Sequence, residues 1–188
     1  MNGAALLLVV KFLAGGLTGL TVHESGHVGT SVIFGAEPGT KPINYAGIPF
    51  FAVTHHQVTR KKEFVISSAG LWMQHAGSEW ILTARPNLRT ESSPFLKGMF
   101  AFNTATSAIY SAAAFGKLGP PERDTLGMAT SLGRRGWPEP AVGIFIATPA
   151  ALDVYRYFRP NDRWAVWASR GSKLVFMSLV LFAGRPVS

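Results

Sequence analysis

Two histidines and a glutamate form the motif HESGH at positions 23 to 27. His23 and His27 are four residues apart, so on a helix they lie one turn apart on the same face and can reach one metal ion. Zinc is the metal that this spacing usually binds, and Glu24 lies beside the imidazoles, where it can act as a general base toward water. The motif therefore predicts a zinc site with two ligands and a base from one helical turn.

A different interpretation of the motif is a pair of hydrogen-bonded core histidines beside a protonated Glu24. The surrounding stretch, LTGLTVHESGHVGTSVIF at 17 to 34, is otherwise largely apolar. Ionisable side chains are costly in lipid and usually serve a function there, which favours the metal site.

The unit Glu-x-x-His within the motif is also used by di-iron bundles, which need two such units. No other glutamate in the sequence has a histidine three residues later, which argues against di-iron.

The third ligand is left open by the spacing. Catalytic zinc usually has three protein ligands and keeps a fourth position for water. The candidates are Asp124 in PPERD, His75 and Glu79 in MQHAGSEW, and the loop histidines His55 and His56. Each also has an ordinary role, as a helix cap, an i,i+4 pair or solvated side chains.

Composition favours a membrane protein. The chain has 188 residues, which predicts a single domain over 1–188. It is 47% hydrophobic and only 15% charged, with a mean hydropathy of +0.20; soluble domains average about 25% charged residues. The net charge of +8 comes from basic residues that lie between apolar runs, so we expect no nucleic-acid partner. There are no cysteines, which excludes disulfides and cysteine-ligated metals.

The helices that position the motif are predicted from apolar length, since a helix needs about 20 residues to cross a bilayer. Four stretches qualify as spans: 4–34, 64–84, 95–116 and 141–158. The first is interpreted as a retained helix, because it lacks the basic start and cleavage signal of a signal peptide. A fifth stretch, 163–184, could be a tilted span or an interfacial helix.

Between the first two spans, 35–63 is rich in Gly and Pro and has a β-prone centre, INYAGIPFFAVTHH, at 43–56. We therefore predict an all-α integral membrane protein, a polytopic bundle of about four or five helices with a small β-like segment after the first. The expected location is the cell membrane, with the lipid bilayer as a partner.

The basic residues predict the topology, because cytoplasmic loops carry an excess of them. The loop 35–63 has Lys41, Arg60, Lys61 and Lys62, whereas the loop 85–94 has Arg85 and Arg89. The loop 35–63 is therefore expected in the cytoplasm. With alternating helices, Asp124 then arrives on the side toward which HESGH is displaced, whereas Glu79 lies about 22 Å along the second helix. This geometry favours Asp124 as the third ligand.

The motifs together resemble the site-2 protease family of intramembrane zinc metalloproteases, over about residues 5–130. HESGH matches the family's HExxH helix, and INYAGIPFFAVTHH is similar to the β-like segment that follows it. SSAGLWMQH at 67–75 resembles the signature of the second core helix, and ERDTLG at 122–127 resembles the aspartate element. Leu71 stands where proline is usual, Gln74 where asparagine is usual, and Thr125 where glycine is usual.

The resemblance implies an endopeptidase that cleaves transmembrane segments of protein substrates. It implies Zn2+ as cofactor, His23, His27 and Asp124 as ligands, Glu24 as the catalytic base and Gln74 as a substrate-binding amide. The catalytic core would be 5–130, followed by C-terminal helices at about 140–184. The alternatives are a non-catalytic zinc-binding membrane scaffold or interaction protein, and a soluble or peripheral zinc protease.

Overall fold

The computed structural model describes residues 3–45, 48–133 and 135–184. Six α-helices and a two-stranded sheet make up this part of the chain, so the fold is mostly helical, as predicted. In chain order the elements are α1 (Gly3–Ile33), β1 (Gly39–Tyr45), β2 (Ile48–Thr54), α2 (Arg60–Ala84), α3 (Pro94–Gly116), α4 (Asp124–Ser131), α5 (Glu139–Phe158) and α6 (Arg163–Ser178), and a short 3-10 helix at Leu179–Leu181. The helix count exceeds the four or five expected, because α4 is a separate short helix.

Local sequence explains where several helices begin and end. Thr59 caps α2, since its hydroxyl accepts a hydrogen bond from the backbone N–H of Lys62. Proline occupies the first turn of α3 and of α5, where its missing N–H costs nothing. α3 ends at Lys117, which has a left-handed conformation with φ of 51°. These signals set the lengths of the helices around the HESGH motif.

The β segment is an antiparallel hairpin. Gly39 pairs with Thr54, and the register continues to Tyr45 opposite Ile48. The two strands expected around 43–56 are thus confirmed, although β1 begins earlier and residues 46–47 of that segment lie outside the described residues. Lys41 on β1 donates a 2.5 Å hydrogen bond to Glu122, which connects the hairpin to the segment before α4.

α1 and α3 pack at backbone contact through glycine. A Cβ atom on Gly15 would lie 1.9 Å from the carbonyl oxygen of Phe95, and one on Gly98 would lie 1.9 Å from the carbonyl oxygen of Phe12. No larger residue fits at either position without separating the helices. Small residues serve the same purpose where helices associate in lipid.

α1 buries small and polar residues and exposes large apolar ones, and the buried face of α3 is also mostly small or polar. The buried residues of α1 are Gly15, Gly19, His23, Gly26, His27 and Ser31. Those of α3 include Gly98, Asn103, Ser107 and Ser111. By contrast, the exposed residues of α1 include Leu6, Leu7, Leu8, Val9, Val10, Phe12, Leu13 and Leu17. This is the reverse of the pattern of a helix that packs into a soluble core.

Within the described part of the chain, α1 is the one helix that is long and apolar enough to cross a membrane, with 31 residues and a mean hydropathy of 2.0. The other three predicted spans, which fall on α2, α3 and α5, do not meet this criterion, because these helices contain more polar residues. Gln74 on α2, Asn103 on α3 and Asp153 on α5 are examples, and all three are buried. Their hydropathy is therefore lowered by side chains that face the interior of the bundle.

The end of the chain folds back onto α4. Leu132 and Ala183 form an isolated antiparallel bridge, and the N–H of Gly184 donates to the carbonyl of Ser131. Beneath this bridge, an apolar core joins α2, α4, α5 and α6, and its buried members include Phe64, Leu71, Met128, Leu132, Val142, Ile146 and Phe176. The position of Asp124, the first residue of α4, is fixed by this packing.

Candidate metal centre

The two histidines of HESGH face the interior of the bundle. Both lie on α1, one helical turn apart, and both are buried. Their Nε2 atoms are 3.1 Å apart. Gly19 lies one helical turn before His23 and Ser31 lies one turn after His27, and both are buried on the same face of α1. These small residues leave room for the imidazoles.

Asp124 lies opposite the two imidazoles. Its Oδ2 atom is 3.7 Å from Nε2 of His23 and 3.3 Å from Nε2 of His27, and its side chain is 17% exposed. Oδ2 is buried and has no hydrogen-bond partner among the described residues. A carboxylate oxygen that lacks a hydrogen bond and faces two imidazole nitrogens could be satisfied by a cation between them.

The geometry of the three atoms fits a metal ion. In a tetrahedral site with bonds of about 2.0–2.2 Å, neighbouring ligand atoms are about 3.3–3.6 Å apart. The three observed separations between the two Nε2 atoms and Oδ2, 3.1, 3.3 and 3.7 Å, are close to this range. His23, His27 and Asp124 could therefore hold a metal ion. Two imidazoles and a carboxylate suit several divalent metals.

The ring of His27 is oriented by a second contact. Its Nδ1 atom lies 2.7 Å from the backbone carbonyl oxygen of Ile66 on α2. Nδ1 must donate its hydrogen to that carbonyl, so when the ring is neutral the lone pair of Nε2 is directed at the centre of the site. α2 therefore selects the tautomer of His27 that can bind a metal.

The electrostatics of the site keep Asp124 ionised. Burial by itself would raise the pKa of the Asp124 carboxyl, but the facing imidazoles of His27 and His23 hold this pKa below its usual range. The Tyr110 ring packs beside the site, with its centroid 5.7 Å from that of the His23 ring. The ionised carboxylate is the form that binds a cation.

Glu24 has the freedom that a general base needs. It is half-buried and interacts electrostatically with His23, His27 and Asp124. No hydrogen bond engages its carboxylate within the described ranges. A carboxylate held beside the ligands without a protein partner can accept a proton from water.

Gly70 on α2 makes room for the site. A Cβ atom at this position would lie 2.5 Å from Nε2 of His27 and 2.6 Å from Nε2 of His23. The helices themselves are in contact one residue earlier, where a Cβ on Gly26 would lie 2.9 Å from the carbonyl oxygen of Ala69. Sequence reasoning placed Gly70 in the SSAGLWMQH signature but missed this role. The signal was a glycine inside a helix, which usually marks a close approach.

A cleft leads to the ligands from the side of the hairpin. Its cavity volume is about 190 Å3, and it lies between β2, α2 and α4, with His27 and Asp124 in its wall. Val53 and Thr54 of β2 line the opposite side. His55 and Glu63 also face the cleft, with 3.4 Å between Nε2 and Oε2. The site is thus accessible from the hairpin although the imidazoles are buried.

The other candidate ligands lie elsewhere. His75 packs edge-on against Phe176, with 5.6 Å between the ring centroids. His55 is paired with Glu63, and His56 lies 3.5 Å from Glu37. None of these histidines joins His23, His27 and Asp124.

Glu79 is engaged in ion pairs with Arg156, Arg170 and Lys173 at the other end of α2. The structure therefore brings only Asp124 of the sequence candidates to the two histidines. Metal ligation by these residues stays a prediction.

Gln74 lies one turn beyond Gly70 on α2, and its side chain is 1% exposed. Neither its amide nitrogen nor its amide oxygen has a hydrogen-bond partner in the described part of the chain. Its backbone carbonyl accepts a 3.1 Å hydrogen bond from Asn103 on α3. A buried amide without partners is costly, which is compatible with the predicted role in binding a substrate backbone.

We predict that Gly70→Ala prevents metal binding, because the added methyl group overlaps the Nε2 atoms of both imidazoles. Gly29→Ala is the control, since a Cβ at that position on α1 meets nothing within 4 Å. Metal content per chain, measured by mass spectrometry on detergent-purified protein, should fall sharply in Gly70→Ala and stay at the wild-type value in Gly29→Ala. Equal metal content in both variants would contradict the assigned position of the ion.

The chain matches no protein-family model, no curated protein and no solved structure. The resemblance to the site-2 protease family therefore rests on the motifs alone, and the interpretation of the site rests on its geometry.

Proposed function

We propose that the protein is an intramembrane zinc endopeptidase that cleaves transmembrane segments of other membrane proteins. The observation that carries the proposal is the convergence of His23, His27 and Asp124, with the unpartnered carboxylate of Glu24 beside them, at the end of a cleft. Two imidazoles, one carboxylate and a neighbouring glutamate are the residues that zinc peptidases use.

A multi-pass membrane location is supported by the distribution of residues in the bundle. α1 meets the length and hydropathy of a membrane span. α2 and α3 have 25 and 23 residues, enough to cross about 30 Å of hydrocarbon at 1.5 Å per residue. Large apolar side chains such as Met73, Ile109 and Ile144 are exposed on α2, α3 and α5, where lipid would cover them favourably. We propose that the bundle lies in the cell membrane with the loop 35–63 in the cytoplasm.

The residues of the site can divide the work of peptide hydrolysis. Bound zinc would supply a Lewis acid that polarises the scissile carbonyl and acidifies water. Glu24 takes the proton of the attacking water and later delivers it to the leaving amine nitrogen. Asp124 and the two histidines would hold the metal, and the Ile66 carbonyl keeps the ring of His27 in orientation.

Substrate helices must unwind before cleavage, because their scissile carbonyls are hydrogen-bonded. β2 offers a place for the unwound chain, because in the two-stranded sheet it pairs with β1 along one edge only. Val53 and Thr54 of β2 line the cleft beside His27. An extended peptide added to this edge would exchange backbone hydrogen bonds with it. The unpartnered amide of Gln74 could bind a further peptide group of the substrate.

The ligand set is tested by single substitutions. His23→Ala, His27→Ala and Asp124→Ala should each weaken zinc affinity by more than about 100-fold, since even outer-shell partners are worth about 10–100-fold. Glu91→Ala, which removes a carboxylate paired with Arg85 in the loop after α2, should bind zinc as the wild type does. Competition with a chromogenic chelator measures the affinity. Undiminished affinity in Asp124→Ala would remove it from the ligand set.

The role of Glu24 is tested by Glu24→Gln, which keeps the shape of the side chain but cannot take a proton. Zinc content should be unchanged, and cleavage of a transmembrane reporter substrate should fall by about 100-fold or more. Wild-type cleavage by this variant would exclude Glu24 as the base. Zinc binding by the wild type without cleavage of any membrane substrate would instead favour the metal-binding scaffold.

The role of Gln74 is tested by Gln74→Leu, which removes the amide at nearly constant volume. The thermal midpoint should stay equal or rise, because a buried amide without partners costs about 1–3 kcal/mol. Cleavage, measured as kcat/KM, should fall by about tenfold, which is the decrease expected when one or two hydrogen bonds to the substrate are lost. Gln57→Leu, in the exposed loop before α2, is the control. A lower midpoint with unchanged kcat/KM would show that Gln74 only stabilises the fold.

The topology is tested with introduced cysteines, which can be labelled selectively because the chain has none of its own. Cysteine at Gln57 should react with an impermeant maleimide only after cells are permeabilised, and cysteine at Asn87 should react in intact cells. Both positions are exposed and lie beyond opposite ends of α2. Reaction of both from the same side would show that α2 does not cross the membrane.

A further inference from the structure

A second cluster of charged residues lies at the end of the bundle away from the metal centre. It joins the C-terminal half of α2 to α5 and α6. Arg156 donates to Glu79, to Asp153 and to Ser169. Lys173 donates at 2.8 Å to Glu79 and at 2.8 Å to Asp153. Thr83, at this end of α2, lies about 20 Å from Gly70 along the helix axis.

The cluster has one more cation than it has carboxylates. Arg156, Arg170 and Lys173 bring three positive charges, and Glu79 and Asp153 bring two negative ones. The side chains of Arg156 and Lys173 are only 4% and 8% exposed. The side chain of Arg170 is 36% exposed, so a further anion can reach the cluster from that side and balance its excess charge.

A cavity next to the cluster could hold this anion. Its volume is about 180 Å3, and its wall is formed by Thr83, Arg156, Val166 and Arg170 together with Pro86 and Pro160. Small-molecule pockets commonly have about 300–1,000 Å3, so this cavity suits a compact group.

The two arginines still have free donors. Arg170 uses Nε for Glu79 and Nη2 for Thr83, and Arg156 uses its two Nη atoms. Nη1 of Arg170 and Nε of Arg156 have no acceptor among the residues that the structure describes. A tetrahedral oxyanion in the cavity would provide acceptors for both.

The surroundings of the cavity are those of a membrane–water interface. Trp80, Trp164 and Trp167 are exposed at this end of α2 and α6, with exposed fractions of 59%, 58% and 69%. Tryptophan is enriched at the level of lipid headgroups, and basic residues are attracted to the phosphates there. Arg159 and Arg163 are also exposed, just after the end of α5 and at the start of α6, and neither lines the cavity.

We propose that the cavity between α2, α5 and α6 is a binding site for a phosphate group, held by Arg156 and Arg170. Arginine is suited to this task because its planar guanidinium donates two parallel hydrogen bonds to phosphate oxygens. The group can come from a phospholipid headgroup in the adjacent leaflet or from free phosphate. Bound phosphate neutralises the excess charge and fastens α2 to α6 at the end of the bundle opposite the metal centre.

The test is thermal unfolding of the full-length protein in detergent after removal of endogenous lipid. Three probes are added separately: inorganic phosphate, dioleoylphosphatidylglycerol, and dioleoylglycerol, which has the same chains without a phosphate. Arg170→Gln removes one donor at a half-exposed position, and Val166→Phe fills the cavity without changing the charge. Arg163→Gln is the matched control, since it removes the same charge from the same helix outside the cavity.

We expect phosphate or the phosphatidyl lipid, but not dioleoylglycerol, to raise the thermal midpoint of the wild type and of Arg163→Gln. The apparent affinity should be roughly tenfold weaker in Arg170→Gln, and the shift should be absent in Val166→Phe. A response to inorganic phosphate identifies free phosphate as a sufficient ligand, and a response to the lipid alone identifies the headgroup.

The proposal is overturned if the wild type responds to neither phosphate probe. It is also overturned if Arg170→Gln responds with the affinity of Arg163→Gln. The comparison of these two variants decides the matter even if Val166→Phe does not fold.

Discussion

The contact between the backbone of α2 and the imidazoles of α1 is the constraint on which the metal centre depends. Gly26 and Ala69 bring the two helices to backbone distance, and Gly70 leaves the Nε2 atoms of His23 and His27 uncovered. The same approach places the carbonyl of Ile66 where it can accept a hydrogen bond from His27. A wider separation of the helices would lose this hydrogen bond, and a side chain at Gly70 would occupy the space between the ligands.

The third ligand position depends on a different set of contacts. α4 has only eight residues and would have little stability alone. It is held by the apolar core beneath it, by the return of the chain at Ala183 and by the guanidinium of Arg60, which donates to the carbonyl of Thr130. Lys41 on the hairpin fixes Glu122 just before the helix. The hairpin and the last helix, although distant in sequence, therefore both contribute to the position of Asp124.

The interior of the bundle is unusually polar, and its polar groups are separated into two regions. At one end, the unpartnered oxygen of Asp124 faces two imidazoles. At the other end, Asp153, Arg156 and Lys173 are buried in mutual contact. Buried charges are costly unless they are paired, and this is the reason we propose a ligand for each region. The large apolar residues on the outside of α1 complete a pattern that suits lipid better than water.

The sequence by itself determined the features that depend on neighbouring residues. The four-residue spacing of His23 and His27 places both on one helical face, because the helix repeats every 3.6 residues. The β-prone residues of 43–56 were sufficient to predict a small β-like segment, and the apolar stretches predicted most of the long helices. Each of these signals is local.

Only the tertiary structure decided which residue completes the metal centre and what surrounds it. Asp124, His75 and Glu79 were all compatible with the sequence, since spacing says nothing about which distant segments meet. Helix packing brings Asp124 to the histidines and turns Glu79 toward Arg156 at the other end of α2. The need for a bare backbone at Gly70 has the same origin, because it arises from a contact between side chains and a helix about 45 residues apart in the sequence.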